Sequence, residues 1–256
     1  MTQCTRIRTL AAVLAALLSL PVVAQTPRPP TNEQVAAQAN AQLAIEYLRK
    51  GDLATAKDKA ERALSQDSRT LASQTAAALV YDRLGDTRRA REHYEQALRY
   101  SDGQPDAQNN LAAFLCRTGE RKRGEQNFLE AAANPLYRTP EVALTNAARC
   151  ARADGRAADA EPYLRRALAA RPDFPEALYE LADLYLELGN PLQSRAFLQR
   201  YLAGSRLTAP AAWLGYRVER ALGDAEQAAV YARSLKGEFT TSEQTRELLE
   251  AEKGRP

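Results

Sequence analysis

The amino-acid sequence predicts an all-α solenoid of six helix-turn-helix repeats closed by a C-terminal capping helix. Three observations predict it. Six glycines, Gly51, Gly85, Gly119, Gly155, Gly189 and Gly223, recur at steps of 34, 34, 36, 34 and 34 residues. Apolar or small residues lie eight and four positions before them, at helical spacing: Leu43 and Tyr47, Ala77 and Tyr81, Leu111 and Leu115, Ala147 and Ala151, Leu181 and Tyr185. Five positions after each glycine stands a small residue, Ala56, Ala90, Gly124, Ala160, Ser194 or Ala228, and Ala63, Ala97, Ala131 and Ala167 lie twelve after.

The elements follow in order along the chain. Residues 1–24 read as a cleaved export signal: Arg6 and Arg8, an apolar run over 10–18, then Val22-Val23-Ala24 as a small-residue cleavage site. The run is shorter than the roughly 20 residues a membrane span needs. No cysteine stands directly after it, Cys4 lying upstream, so a soluble exported protein is expected rather than a lipid-anchored one. Residues 25–36, rich in proline, read as a linker.

Residues 37–256 form the repeat domain, with repeats at 37–70, 71–104, 105–140, 141–174, 175–208 and 209–241 and a capping helix over 242–252 with Ser242 as its N-cap. Each glycine ends a first helix in a left-handed turn. Small residues let the second helix approach, and larger ones fill the gaps. Pro105, Pro140, Pro172, Pro175 and Pro210 fall at repeat boundaries, where a proline breaks no helix. This period and punctuation resemble the tetratricopeptide repeat (TPR). The sixth repeat departs most, with Gly215 and Glu219 where leucine and tyrosine are expected and Trp213 just upstream.

Composition and chemistry narrow the function. The formal charge is +3, from 35 basic and 32 acidic side chains, and falls to about +1 without Arg6 and Arg8. That is no nucleic-acid or membrane footprint. One histidine, His93, cannot assemble a metal site or a catalytic triad and reads as a helix-surface residue. No glycine-rich phosphate loop occurs, and the repeats leave no stretch for a catalytic domain. A non-enzyme without a cofactor is expected.

Cys116 and Cys150 remain after the signal is removed. Both lie near the ends of first helices in adjacent repeats. They are either a disulfide or two separate buried thiols, and an oxidising compartment favours the bond.

The first helices of such a solenoid line a groove. Its predicted lining is Ile45, Leu48, Arg49, Leu79, Arg83, Asn109, Ala113, Arg117, Arg149 and, near the far end, Trp213. A mixed apolar and basic groove suits an extended segment or a partner helix; a solvated helix face is the competing reading. Asn110 and Asn146 match one position of the TPR carboxylate clamp, but Thr75, Leu79 and Val142 replace its other side chains, so no such clamp is expected.

Two stretches are more specific. One is Asn109-Asn110-Leu111-Ala112-Ala113-Phe114-Leu115-Cys116. The other is Asn134-Pro135-Leu136-Tyr137-Arg138-Thr139-Pro140 with Ala143, Asn146, Ala147 and Cys150, which carries the two-residue insertion. Together they resemble the type IV pilus biogenesis and stability family (PilF/PilW, secretin pilotins) across about residues 36–252. The resemblance implies a periplasmic scaffold at the inner face of the outer membrane. Its partner would be the pilus secretin or other pilus assembly proteins, and it would assist secretin localisation and multimerisation, and hence twitching motility. It also implies the Cys116–Cys150 disulfide, which members carrying both cysteines share. Several members are lipoproteins, a feature that this apolar run lacks. The alternatives are a general periplasmic scaffold unrelated to pili and a subunit presenting substrate to an enzyme on another chain.

Overall fold

The computed structural model describes residues 29–253, and the segment from 32 onward forms one compact unit. Thirteen helices occur among the described residues: α1 Asn32–Arg49, α2 Leu53–Gln66, α3 Leu71–Arg83, α4 Thr87–Arg99, α5 Pro105–Arg117, α6 Arg121–Ala133, α7 Pro140–Ala153, α8 Ala157–Ala170, α9 Pro175–Glu187, α10 Pro191–Gly204, α11 Ala209–Leu222, α12 Ala225–Glu238 and α13 Glu243–Lys253. The assigned export signal lies outside the described residues. Residues 32–36, read from sequence as linker, are the first turns of α1.

The repeat signals act as their chemistry requires. All six punctuating glycines have positive φ, between 75° and 97°. Gly223 illustrates why: at φ 79° its N–H bonds back to the carbonyls of Arg220 and Glu219, closing α11 in a conformation that a Cβ would strain. The aspartate that follows three of the glycines caps the next helix. Asp52, Asp86 and Asp224 accept the backbone N–H of Thr55, Arg89 and Gln227, each at 3.0 Å. Pro105, Pro140 and Pro175 each begin a helix. Pro210 sits one residue inside α11, where the missing N–H is still an unbonded one. Pro162 lies within α8.

Each odd-numbered helix through α11 packs on the next odd-numbered one, whereas the backbones of even-numbered helices lie close only to odd-numbered neighbours; α13 packs on α11 and α12. The odd-numbered helices are therefore the crowded inner wall of the solenoid. The core is a chain of small clusters, each joining neighbouring repeats. Alanines 56, 60, 63, 90, 131, 160 and 167 are all essentially fully buried at the helix crossings. At one crossing even alanine is too large. A Cβ on Gly124 would lie 2.8 Å from the Ala112 carbonyl oxygen and from the Cys116 nitrogen.

Two departures have physical causes. Leu43 is exposed, unlike its counterparts Ala77, Leu111 and Leu181. Those pack against the second helix of the preceding repeat, and no such helix precedes α1 among the described residues. In the sixth repeat, Gly215 is where the Tyr231 ring presses against α11; a Cβ there would come within 2.5 Å of the ring. Glu219, also buried, takes two bonds from Arg195 of the fifth repeat. The Ser242 hydroxyl accepts the Thr245 N–H at 3.1 Å, capping α13, and Leu248 seals the last cluster.

Candidate functional site

The inner wall carries three cavities in series. The first, about 460 Å³, lies between α1, α3 and the start of α5, with Ile45, Thr75 and Asn110 in its lining. The second, about 510 Å³, is bounded by Leu48 of α1, Leu79, Asp82 and Arg83 of α3, Tyr94 of α4, and Asn110, Ala113 and Arg117 of α5. The third, about 350 Å³, is bounded by Ala113 and Arg117 again, by Arg121 and Phe128 of α6, and by Asn146, Arg149 and Ala153 of α7, with the two cysteines at its wall. Asn110 joins the first two cavities, and Ala113 with Arg117 joins the last two. The result is one groove across repeats one to four.

This arrangement gathers seven of the ten predicted groove residues: Ile45, Leu48, Leu79, Arg83, Ala113, Arg117 and Arg149. Three lie elsewhere. Arg49 ends α1 in solvent, paired with Glu46 at 2.6 Å. Asn109 is rotated off the stripe of Ala107, Asn110, Ala113 and Arg117, and its neighbour Asn110 takes the groove position. Trp213 stacks on Tyr216, with ring centroids 5.4 Å apart, in the cluster closed by α12 and α13. Sequence reasoning missed Tyr94 and Arg121, because both come from second helices.

Cys116 and Cys150 are joined as a disulfide with Cα atoms 5.8 Å apart. It ties α5 to α7 beneath the third cavity.

Electrostatics divide the inner wall. Asp82 accepts from the Tyr94 hydroxyl at 3.2 Å and from Arg117. Burial pushes the Tyr94 phenol up, Asp82 adding to the effect, so it stays a donor. From α7 onward the charges are locked together. Arg149 and Arg152 both bond Glu180 at 2.7 Å, Arg152 also reaches Asp183 and Glu187, and Arg217 reaches Asp183. Burial opposes the charge on Arg152, but the hydrogen bonds it donates to Asp183 and Glu187 outweigh burial and hold the guanidinium charged. Arg83, by contrast, makes no ion pair among the described residues, and it sits beside Leu48 and Leu79. The groove can therefore hold apolar side chains and offer a free cation beside them. Among the described residues no cluster of His, Cys, Asp and Glu is placed to hold a metal ion, and no helix is long and apolar enough to cross a membrane.

Tetratricopeptide-repeat families match residues 75–137 and 151–214. No curated protein matches the chain. Among solved structures, Pseudomonas aeruginosa PilF is 24% identical, with a TM-score of 0.72 over 86% of this chain and all of that one. A tetratricopeptide repeat protein of Parabacteroides merdae is 21% identical, with a TM-score of 0.62 over 84% of this chain and 83% of that one. Both likenesses show the fold. PilW, a widely conserved type IV pilus biogenesis factor, is 32% identical, with a TM-score of 0.75 over 83% of this chain and 98% of that one. With six repeats, a capping helix and that identity across nearly the whole of PilW, the chain belongs to the PilW family of tetratricopeptide-repeat type IV pilus biogenesis factors.

Proposed function

We propose that this protein is a non-catalytic scaffold of type IV pilus biogenesis that holds a segment of the pilus secretin in the groove of repeats one to four. It acts in the periplasm, at the inner face of the outer membrane, and assists the localisation and multimerisation of the secretin. The observation that carries the reading is the coincidence of family membership with one continuous groove of mixed apolar and polar walls that sets Leu48 and Leu79 beside an unpaired Arg83. Such a groove fits a peptide segment, and its size and lining suit several side chains rather than one small molecule.

The test is capture from a bacterial envelope extract with the repeat domain as bait, read by mass spectrometry. The secretin is expected in the parent capture and expected to be lost with Leu48→Ala, Leu79→Ala and Arg83→Glu combined. Recovery of an unrelated envelope complex, with no secretin, would replace this reading with that of a general periplasmic scaffold.

A further inference from the structure

The third cavity is unlike the rest of the groove. Three guanidinium groups, Arg117, Arg121 and Arg149, line it, and no carboxylate does. Two of the three are partly neutralised from outside. Arg117 is held by Asp82, which also takes Tyr94, and Arg149 is held by Glu180, which also takes Arg152. Arg121 has no such partner. It makes no ion pair among the described residues, and its Nε is buried without a hydrogen-bond acceptor. A buried donor without a partner is costly, so Arg121 is the cation of this cavity whose bonding capacity is not taken up within the chain. Arg121 also opens α6, at the positive end of its helix dipole; the Glu120 carboxylate at the N-cap is taken by Arg91 and Arg123 and leaves Arg121 unpaired. Asn146 supplies an amide on the opposite wall.

We infer that this cavity is the acid-recognising subsite of the groove, and that the bound segment carries an aspartate or glutamate side chain seated against Arg121. This rests on the groove reading above and specifies its partner chemistry. The occupant is an acidic and aliphatic segment of a partner protein: its aliphatic side chains enter between Leu48 and Leu79, and its carboxylate enters the neighbouring cavity across Ala113 and Arg117. The argument is charge complementarity. A neutral segment would leave the Arg121 guanidinium without a counter-charge beside the two paired arginines, whereas a carboxylate forms charge-assisted bonds there.

The experiment uses two short peptides, acetylated and amidated, that carry leucine with either glutamate or glutamine in a serine–glycine background. Their binding to the repeat domain is measured by calorimetry, and the Arg121 Nε–H resonance is followed by NMR. The glutamate peptide is expected to bind and to shift that resonance. Arg121→Gln is expected to weaken it at least about tenfold while leaving the glutamine peptide unchanged. Equal binding of both peptides, or full binding by Arg121→Gln, overturns the inference. Should Arg121→Gln fail to fold, Arg149→Gln and the Nε–H resonance of the unaltered protein decide, an unmoved resonance at saturation overturning it. If the secretin is captured equally by the parent and by Arg121→Gln, this inference falls alone. If the glutamate peptide binds at Arg121 but no secretin is captured, the secretin assignment falls alone.

Discussion

Arg156, at the N-terminus of α8 in the fourth repeat, reaches back to Glu125 in the third, which is 8% exposed and also accepts the Tyr163 hydroxyl at 2.7 Å. Burial and the Glu125 bond push the Tyr163 phenol up to about 12, so it remains a donor to the carboxylate. The same pair of repeat positions, six after one glycine and one after the next, joins Arg91 to Glu120 and Arg195 to Asp224. The order of charge at Glu125–Arg156 is reversed relative to the other two, so each junction matches its own neighbour.

Arg156→Leu is expected to destabilise by about 2 kcal/mol, because the Glu125 carboxylate stays buried without its cation. Arg88→Ala removes only an exposed pair with Glu92 and is expected to cost under about 0.5 kcal/mol. Urea midpoints compare the two; similar small losses would mean that Glu125 is solvated in the folded protein.

The glycines that are not turn glycines make a second contrast. A Cβ at Gly215 meets the Tyr231 ring, a side chain that can move, whereas a Cβ at Gly124 meets backbone of α5. Gly215→Ala is expected to cost about 1–3 kcal/mol and Gly124→Ala at least as much. Tyr231→Leu in the Gly215→Ala background recovers part of the first loss and none of the second. Failure of Tyr231→Leu to rescue Gly215→Ala would place the strain elsewhere.

The fold was legible because a solenoid repeats its constraints. Gly51 to Gly223 mark the turn within every repeat, and small residues, mostly alanines, mark the close approaches. The insertion was legible as a break in the period, and its role is visible only in space: Asn134 bonds the Gly103 carbonyl at 3.1 Å and Tyr137 folds into the core. The groove was legible to the level of its face. Which of its cations are free was not, since Arg117 finds Asp82 35 residues away and Arg149 finds Glu180 31 residues away, and an arginine reads the same whether paired or not. A one-residue rotation separates Asn109 from Asn110, finer than repeat arithmetic resolves. Tyr94 and Arg121 reach the groove from second helices, which a reading confined to first helices leaves out.

The disulfide closes a separation of 34 residues, which in the chain-entropy view stabilises by about 3–4 kcal/mol. In a solenoid that contribution is local. Paired Cys116→Ser and Cys150→Ser changes are expected to lower hydrogen-exchange protection in α5, α6 and α7 before α1 or α13 responds. Uniform loss of protection along the chain would contradict a local staple.

His93 supplies the pH-sensitive element. Its ring stacks on Tyr81 with centroids 5.4 Å apart, and its Nδ1 lies 2.7 Å from the Gln74 side-chain oxygen. Burial lowers its pKa below the ordinary 6.5; Glu92 opposes that shift and Arg89 adds to it. A lowered folded pKa means that the unfolded chain takes the proton first. The stability it contributes is therefore complete above about pH 6.5 and declines as pH falls through the folded value. Between about pH 7.5 and about pH 5.5 the carboxylates that are held low, such as Glu120 beside Arg91, stay ionised, which leaves His93 as the group that changes charge. The parent protein is expected to lose about 1–2 °C more in Tm over that interval than His93→Gln does. Equal losses in the two proteins would remove His93 as the source of acid sensitivity.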